Sequence, residues 1–105
     1  MLDIQAYIKE LIQNYPILLF IKGTKNNPQC GFSETVVNIL TSLSVEFYHV
    51  NVLENPIIRD GIKKYSDWPT IPQLYIKKVF IGGCDIVQQL YHNGELQERL
   101  KSYMV

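Results

Sequence analysis

The chain has 105 residues, a typical length for a single domain, and 47% of them are hydrophobic, enough for one compact core. Ten basic and ten acidic side chains cancel, which argues against bulk attraction to nucleic acid or anionic membrane and leaves room only for a local positive cluster. Two cysteines, Cys30 and Cys84, are too few for a secreted disulfide scaffold, and their spacing matches no zinc knuckle.

Residues 1–15 include Asp3, Lys9 and Glu10, lack a continuous apolar stretch and contain no arginine. Neither a signal peptide nor a transit peptide is expected there. The longest apolar run, Ile17 to Ile21, is far too short to span a bilayer. The expectation is a soluble protein of a reducing compartment: a bacterial cytoplasm, or an organellar matrix if a presequence has been removed.

Residues 3–14 read as an amphipathic helix, with Ile4, Ile8, Leu11, Ile12 and Tyr15 at helical spacing. Pro16 stops it, and Ile17 to Ile21 reads as a strand buried on both faces. Lys22 to Pro28 is expected to be a polar loop, and a second helix begins at Gly31 with Val36, Ile39, Leu40 and Leu43 on one face. Phe47 to Val52 is rich in β-branched and aromatic residues and reads as a strand. Asn55-Pro56 opens a third helix through Tyr65, with proline suited to a first turn.

Trp68-Pro69-Thr70-Ile71-Pro72 interrupts the pattern, and Leu74 to Ile76 and Val79 to Ile81 form a close antiparallel pair. After Gly82-Gly83, helical patterning resumes through Ile86, Val87, Leu90 and Tyr91, and again from Leu96 to Tyr103. No repeat, linker or low-complexity segment breaks the order, which predicts one α/β domain over residues 1–105. Strand, cysteine loop, helix and parallel strand make a βαβ unit, whose ligand belongs beyond the carboxyl ends of the strands. Cys30 falls there.

In Cys30-Gly31-Phe32-Ser33 a serine stands where a disulfide enzyme would keep its second thiol. A hydroxyl cannot resolve a mixed disulfide at neutral pH, so Cys30 must rely on an external thiol, a distant cysteine or metal chemistry. The start of a helix favours an anion and lowers a thiol pKa. The plainer reading, a buried structural cysteine, sits poorly with a loop-to-helix junction flanked by Gly31 and Ser33. Ser33 reads equally as a first-turn residue bonding backbone.

Gly82-Gly83 allows close approach of a ligand backbone or simply makes a turn. Cys84 and Asp85 open the next helix, so their N–H groups could hold a carboxylate, while Asp85 also serves the helix dipole. Arg59 and Lys63, four residues apart, share one face of the third helix. Trp68 is expected to pack under its loop rather than touch ligand. His49 and His92 have no metal-ligand partner at useful spacing and are read as structural.

Four segments together carry a resemblance. Lys22-Gly23-Thr24, Pro28-x-Cys30-Gly31-Phe32-Ser33, Trp68-Pro69-Thr70-Ile71-Pro72-Gln73 and Gly82-Gly83-Cys84-Asp85, in this order over nearly the full length, resemble the monothiol glutaredoxins. The resemblance implies a thioredoxin-like fold, a mixed four-stranded sheet flanked by helices. It also implies glutathione binding and a [2Fe–2S] cluster bridging a homodimer through Cys30.

On this likeness Ile71-Pro72 is cis, and the Ile71 backbone pairs with the cysteine of glutathione. The ligand set is then Lys22, Phe32, Arg59, Lys63, Ile71, Gly83, Cys84 and Asp85. Lys22 lies beside Cys30 and the glycine carboxylate, and Asp85 takes the ligand ammonium.

A [2Fe–2S] cluster takes about four ligands. Cys30 from two chains with two glutathione thiolates would supply them, as would Cys30 and Cys84 from two chains; glutathione gives the cationic residues a purpose. The carrier role implied is iron–sulfur cluster transfer, with iron and redox homeostasis. The alternatives are a glutathione-dependent oxidoreductase acting on protein–glutathione mixed disulfides, and a regulator pairing with a BolA-type protein. Acceptor apo-proteins are further implied partners. Cys84 could also join Cys30 in a disulfide if their Cα atoms come within ~7 Å.

Two positions depart from the family pattern. Lys25 stands where proline is common, which suggests a more mobile loop. Lys77-Lys78 replaces a glycine-containing hairpin turn, and neither lysine favours the positive φ of the tightest turns.

Overall fold

The computed structural model describes residues 3–105; Met1 and Leu2, the first residues of the expected domain, lie outside them. The first helix, α1 (Ile4–Asn14), is capped by Asp3, whose carboxylate accepts from the N–H groups of Gln5 at 3.0 Å and Ala6 at 3.3 Å. Strand β1 (Ile17–Ile21) follows and is buried at all five positions.

Two short strands, β2 (Gly23–Thr24) and β3 (Asn27–Pro28), pair antiparallel before α2 (Gly31–Ser42). The segment expected to be a plain loop is therefore a small hairpin. Strand β4 (Tyr48–Asn51), helix α3 (Pro56–Ser66), strands β5 (Gln73–Ile76) and β6 (Val79–Gly82), and helices α4 (Cys84–His92) and α5 (Glu95–Leu100) complete the order. The last expected helix is split: after Leu100 the chain tightens into a 3₁₀ turn over Lys101–Tyr103.

The main sheet has four strands in the order β4-β1-β5-β6. Strand β1 runs parallel to β4 and antiparallel to β5, and β5 is antiparallel to β6. This is the mixed sheet flanked by helices of a thioredoxin-like fold. Period-2 alternation explains why β1 is apolar throughout. Ile17, Leu19 and Ile21 face a core that includes Val36, Leu40, Val87 and Leu96, while Leu18 and Phe20 face one that includes Ile8, Ile58 and Ile62. Helices α2, α4 and α5 thus cover one face, and α1 and α3 the other.

Asn55 caps α3 through its side-chain oxygen, which accepts from Ile57 N–H at 3.1 Å and Ile58 N–H at 3.2 Å, with Pro56 in the first turn. The β5–β6 turn adopts the geometry its residues disfavour. Lys77 and Lys78 both have positive φ, 50° and 70°, the backbone a two-residue hairpin needs to match strand twist. Tertiary contacts hold it there: Lys77 N–H donates to the Pro16 carbonyl at 2.7 Å, and its ammonium lies 5.5 Å from the centre of the Tyr103 ring.

Lys25 is likewise held in place. Its ammonium donates to the Phe47 carbonyl at 3.2 Å and sits 4.8 Å from the centre of the Phe47 ring. The contact ties the tip of the hairpin to the residue before β4, at the position where the family pattern has proline.

Candidate functional site

Cys30 is the N-cap residue of α2, with extended backbone at φ −153° and ψ 139°. Its sulfur makes no capping hydrogen bond. Burial pushes the thiol up, but the N–H groups of Ser33 and Phe32, the Ser33 hydroxyl and the Lys22 ammonium outweigh it and hold Cys30 below its ordinary value. A thiolate is the reactive and metal-binding form, so Cys30 is biased towards chemistry.

Ser33 is completely buried, and its hydroxyl accepts the backbone N–H of Lys22 at 3.1 Å. The expectation that it bonds backbone holds, although the partner lies eleven residues away rather than in its own turn. The Lys22 carbonyl in turn accepts from Gln29 N–H at 2.9 Å. The end of β1 is thereby tied to both sides of the cysteine, which fixes Lys22 near the sulfur.

Beside this junction is a cleft of about 470 Å³. All eight expected ligand residues line it: Lys22, Phe32, Arg59, Lys63, Ile71, Gly83, Cys84 and Asp85. Cys30 itself is not among the lining residues, whereas Phe32 of the helix it caps is. Phe32 is 64% exposed, an apolar side chain left in water beside the thiol. Arg59 and Lys63 from α3 and Lys22, the residue after β1, supply positive charge that the zero net charge conceals. Opposite them is the start of α4, where Gly83 is the N-cap and makes no side-chain cap, so the first N–H groups are free to meet an anion.

The Trp68–Pro72 segment forms another wall. The Ile71-Pro72 peptide is cis, as expected. Fully buried Gln73 braces this wall from behind, its amide nitrogen donating to the carbonyls of Trp68 and Thr70, each at 3.1 Å. Trp68 packs edge-on against Phe80, with ring centroids 5.7 Å apart, and its side chain also lines the cleft. The signal that could have found it is its place in the same unbroken motif as Ile71.

Cys84 begins α4. Burial first, then the Asp85 carboxylate, push its thiol up; the Thr35 hydroxyl opposes them, and Cys30 adds the smallest upward push. Its sulfur donates to the Gln88 side-chain oxygen at 3.7 Å. Both cysteines are free thiols. His49 lies on β4 and His92 at the end of α4, neither in the cleft. Among the described residues no group of three or more His, Cys, Asp or Glu side chains could hold a metal ion.

The glutaredoxin family model matches residues 17–81. The chain is 54% identical over 99 residues to a protein of Rickettsia prowazekii named probable monothiol glutaredoxin 2, covering 94% of this chain and 92% of that one. The solution structure of reduced poplar apo GrxS14 is similar with a TM-score of 0.81 and 50% identity, covering 94% of this chain and 91% of that one. A monomeric truncated mutant of Trypanosoma brucei 1-C-Grx1 gives a TM-score of 0.85 at 35% identity, over 97% of this chain and 93% of that one. With the serine at position 33, the single thiol at the head of α2 and these likenesses over nearly its whole length, the chain belongs to the monothiol glutaredoxin family.

Proposed function

We propose that residues 1–105 form one glutaredoxin domain that binds glutathione in this cleft and carries a [2Fe–2S] cluster between two subunits. The observation that carries the reading is the isolation of Cys30: a thiol biased towards its anion, with a buried serine where a resolving thiol would stand. An intramolecular Cys30–residue 33 disulfide is chemically impossible, so the thiolate stays available to an external partner.

Glutathione fits the charge layout. Lys22, Arg59 and Lys63 suit its carboxylates, the Ile71 backbone suits its cysteine, and the N-terminus of α4 suits the γ-glutamyl carboxylate. Asp85 suits the ammonium. One chain offers a single activated thiolate, whereas a cluster takes about four ligands. A second copy and two glutathione thiolates make up the set. Cys84 is the poorer ligand, because its thiol is pushed up and already donates to Gln88. Ligands held without covalent bonds suit a cargo that must be handed on to acceptor apo-proteins or shared with a BolA-type partner. No helix among the described residues is long and apolar enough to cross a membrane, in keeping with a carrier working in cytoplasm or organellar matrix.

The lowered Cys30 thiol also favours a second reading, glutathione-dependent reduction of mixed disulfides. The Cys30 thiolate attacks the glutathione sulfur of a glutathionylated protein and releases that protein's thiolate. A second glutathione thiolate then attacks the Cys30–glutathione disulfide, leaving glutathione disulfide and free Cys30 thiolate.

Anaerobic reconstitution with iron, sulfide and glutathione separates the readings, followed by visible absorbance, bound glutathione and native mass. One cluster with two glutathiones per dimer, lost entirely in Cys30→Ser, is the expected result. A cluster retained without glutathione would move ligation to Cys84. No cluster, with turnover of a glutathionylated peptide, would leave the oxidoreductase.

A further inference from the structure

The cleft contains two buried donors that have no hydrogen-bond partner among the described residues: Nε of Arg59 and Nε1 of Trp68. Buried polar groups are nearly always paired with protein, water or ligand, because an unpaired donor forfeits its hydration without return. Arg59 already has a partner in the glutathione reading. Trp68 has none, and its orphaned N–H needs an explanation.

The indole is firmly placed. Phe80 packs edge-on against it at 5.7 Å between centroids, and Gln73 holds the Trp68 carbonyl at 3.1 Å. On its other side lies the start of α4. A Cβ placed on Gly83 would lie 3.3 Å from Trp68 Nε1, 3.3 Å from the Pro72 carbonyl oxygen and 4.0 Å from Thr70 Oγ1. The absence of a side chain at residue 83 therefore keeps the indole edge and the first turn of α4 in register, with no methyl group wedged between them.

An indole N–H can only donate, so its missing partner is an acceptor. The surroundings specify the sign of that acceptor: Arg59 and Lys63 share the cleft, and the head of α4 carries no capping side chain. We propose that Trp68 is a further ligand-binding residue, whose Nε1–H donates to an oxygen of the carboxylate received at the N-terminus of α4. The inference rests on the glutathione reading of the cleft and adds to it a neutral donor that discriminates by hydrogen bonding rather than by charge. Packing against Phe80 alone would require only an aromatic ring; the buried, unpaired N–H beside Gly83 at the head of α4 is the feature that ring packing does not explain.

Trp68 is the one tryptophan of the chain, so its indole N–H gives a single NMR signal in the native protein. Titration of the ¹⁵N-labelled native chain with reduced glutathione should move that signal downfield with the same midpoint as the Cys84 and Asp85 amides. Trp68→Phe, which keeps a ring against Phe80, should weaken glutathione binding about tenfold. If the Cys84 and Asp85 amides move while the indole does not, and Trp68→Phe binds as tightly, the Trp68 assignment is overturned and the glutathione cleft stands. If no resonance moves, the glutathione reading is overturned, and this inference with it. The native-chain titration decides the matter even if the variant folds poorly.

Discussion

Cys30 and Cys84 stand at the heads of two neighbouring helices, α2 and α4, yet their thiols are driven in opposite directions. Burial raises both. At Cys30 the Ser33 and Phe32 N–H groups, the Ser33 hydroxyl and Lys22 all favour the anion and win. At Cys84 the Asp85 carboxylate adds to burial, and Gln88 offers an acceptor that needs the proton to remain on sulfur. A helix N-terminus is therefore not sufficient to make a thiolate; the neighbouring charge and the direction of the local hydrogen bonds decide. One cysteine is the more readily ionised thiol, while the other keeps its proton and is left as a polar edge of the cleft.

The strongest way to disturb one helix head without the other is Gly82→Ala. Gly82 has φ 143°, and an added Cβ would lie 2.9 Å from the Cβ of Ile86. Strain and overpacking together should destabilise the fold by about 2–4 kcal/mol, read by urea denaturation. Cys30 should keep its reactivity in the surviving folded protein, because the groups that act on it, Phe32, Ser33 and Lys22, lie on α2 and just after β1.

Ser33→Ala should act on the other head. It leaves the Lys22 N–H without its 3.1 Å partner and should cost about 1–2 kcal/mol. The loss of the hydroxyl should also raise the Cys30 thiol and slow its alkylation at neutral pH, which a stopped-flow thiol assay would detect. Unchanged stability and unchanged reactivity together would show that the serine is only a missing cysteine. The smallest effect is expected from Asp85→Asn. It removes the charge that raises Cys84, so that thiol alone should titrate at lower pH.

Much of this arrangement was legible in the sequence, for identifiable reasons. The five apolar residues of β1 announced a strand covered on both faces, and Asn55-Pro56 announced the start of α3. The four glutaredoxin-like segments converge because the carboxyl ends of β1 and β6 and the amino end of β5 lie at the same edge of the sheet, where Arg59 and Lys63 of α3 complete the eight residues that line one cleft. What escaped was tertiary in origin. The β2–β3 hairpin has strands of two residues, too short for any periodicity. The Lys77–Lys78 turn obeys the Pro16 carbonyl and the Tyr103 ring rather than local preference. Lys25 is anchored to Phe47, and Ser33 bonds Lys22, partners 22 and 11 residues distant that no local pattern reveals. Trp68 was read for its bulk, and its unpaired N–H emerges only when the surrounding atoms can be inspected.

The most direct test follows both thiols in a single sample. The folded native chain is alkylated for short times across a pH series, and Cys30 and Cys84 are quantified separately by peptide mass spectrometry. Because the thiolate is the species that reacts, each rate rises with pH and levels off above that thiol's own pKa. The account predicts that Cys30 levels off below the range of an ordinary thiol and that Cys84 is still rising above it. Coincident curves, or Cys84 reacting at the lower pH, would contradict the claim that Cys30 is the thiol this fold prepares for chemistry.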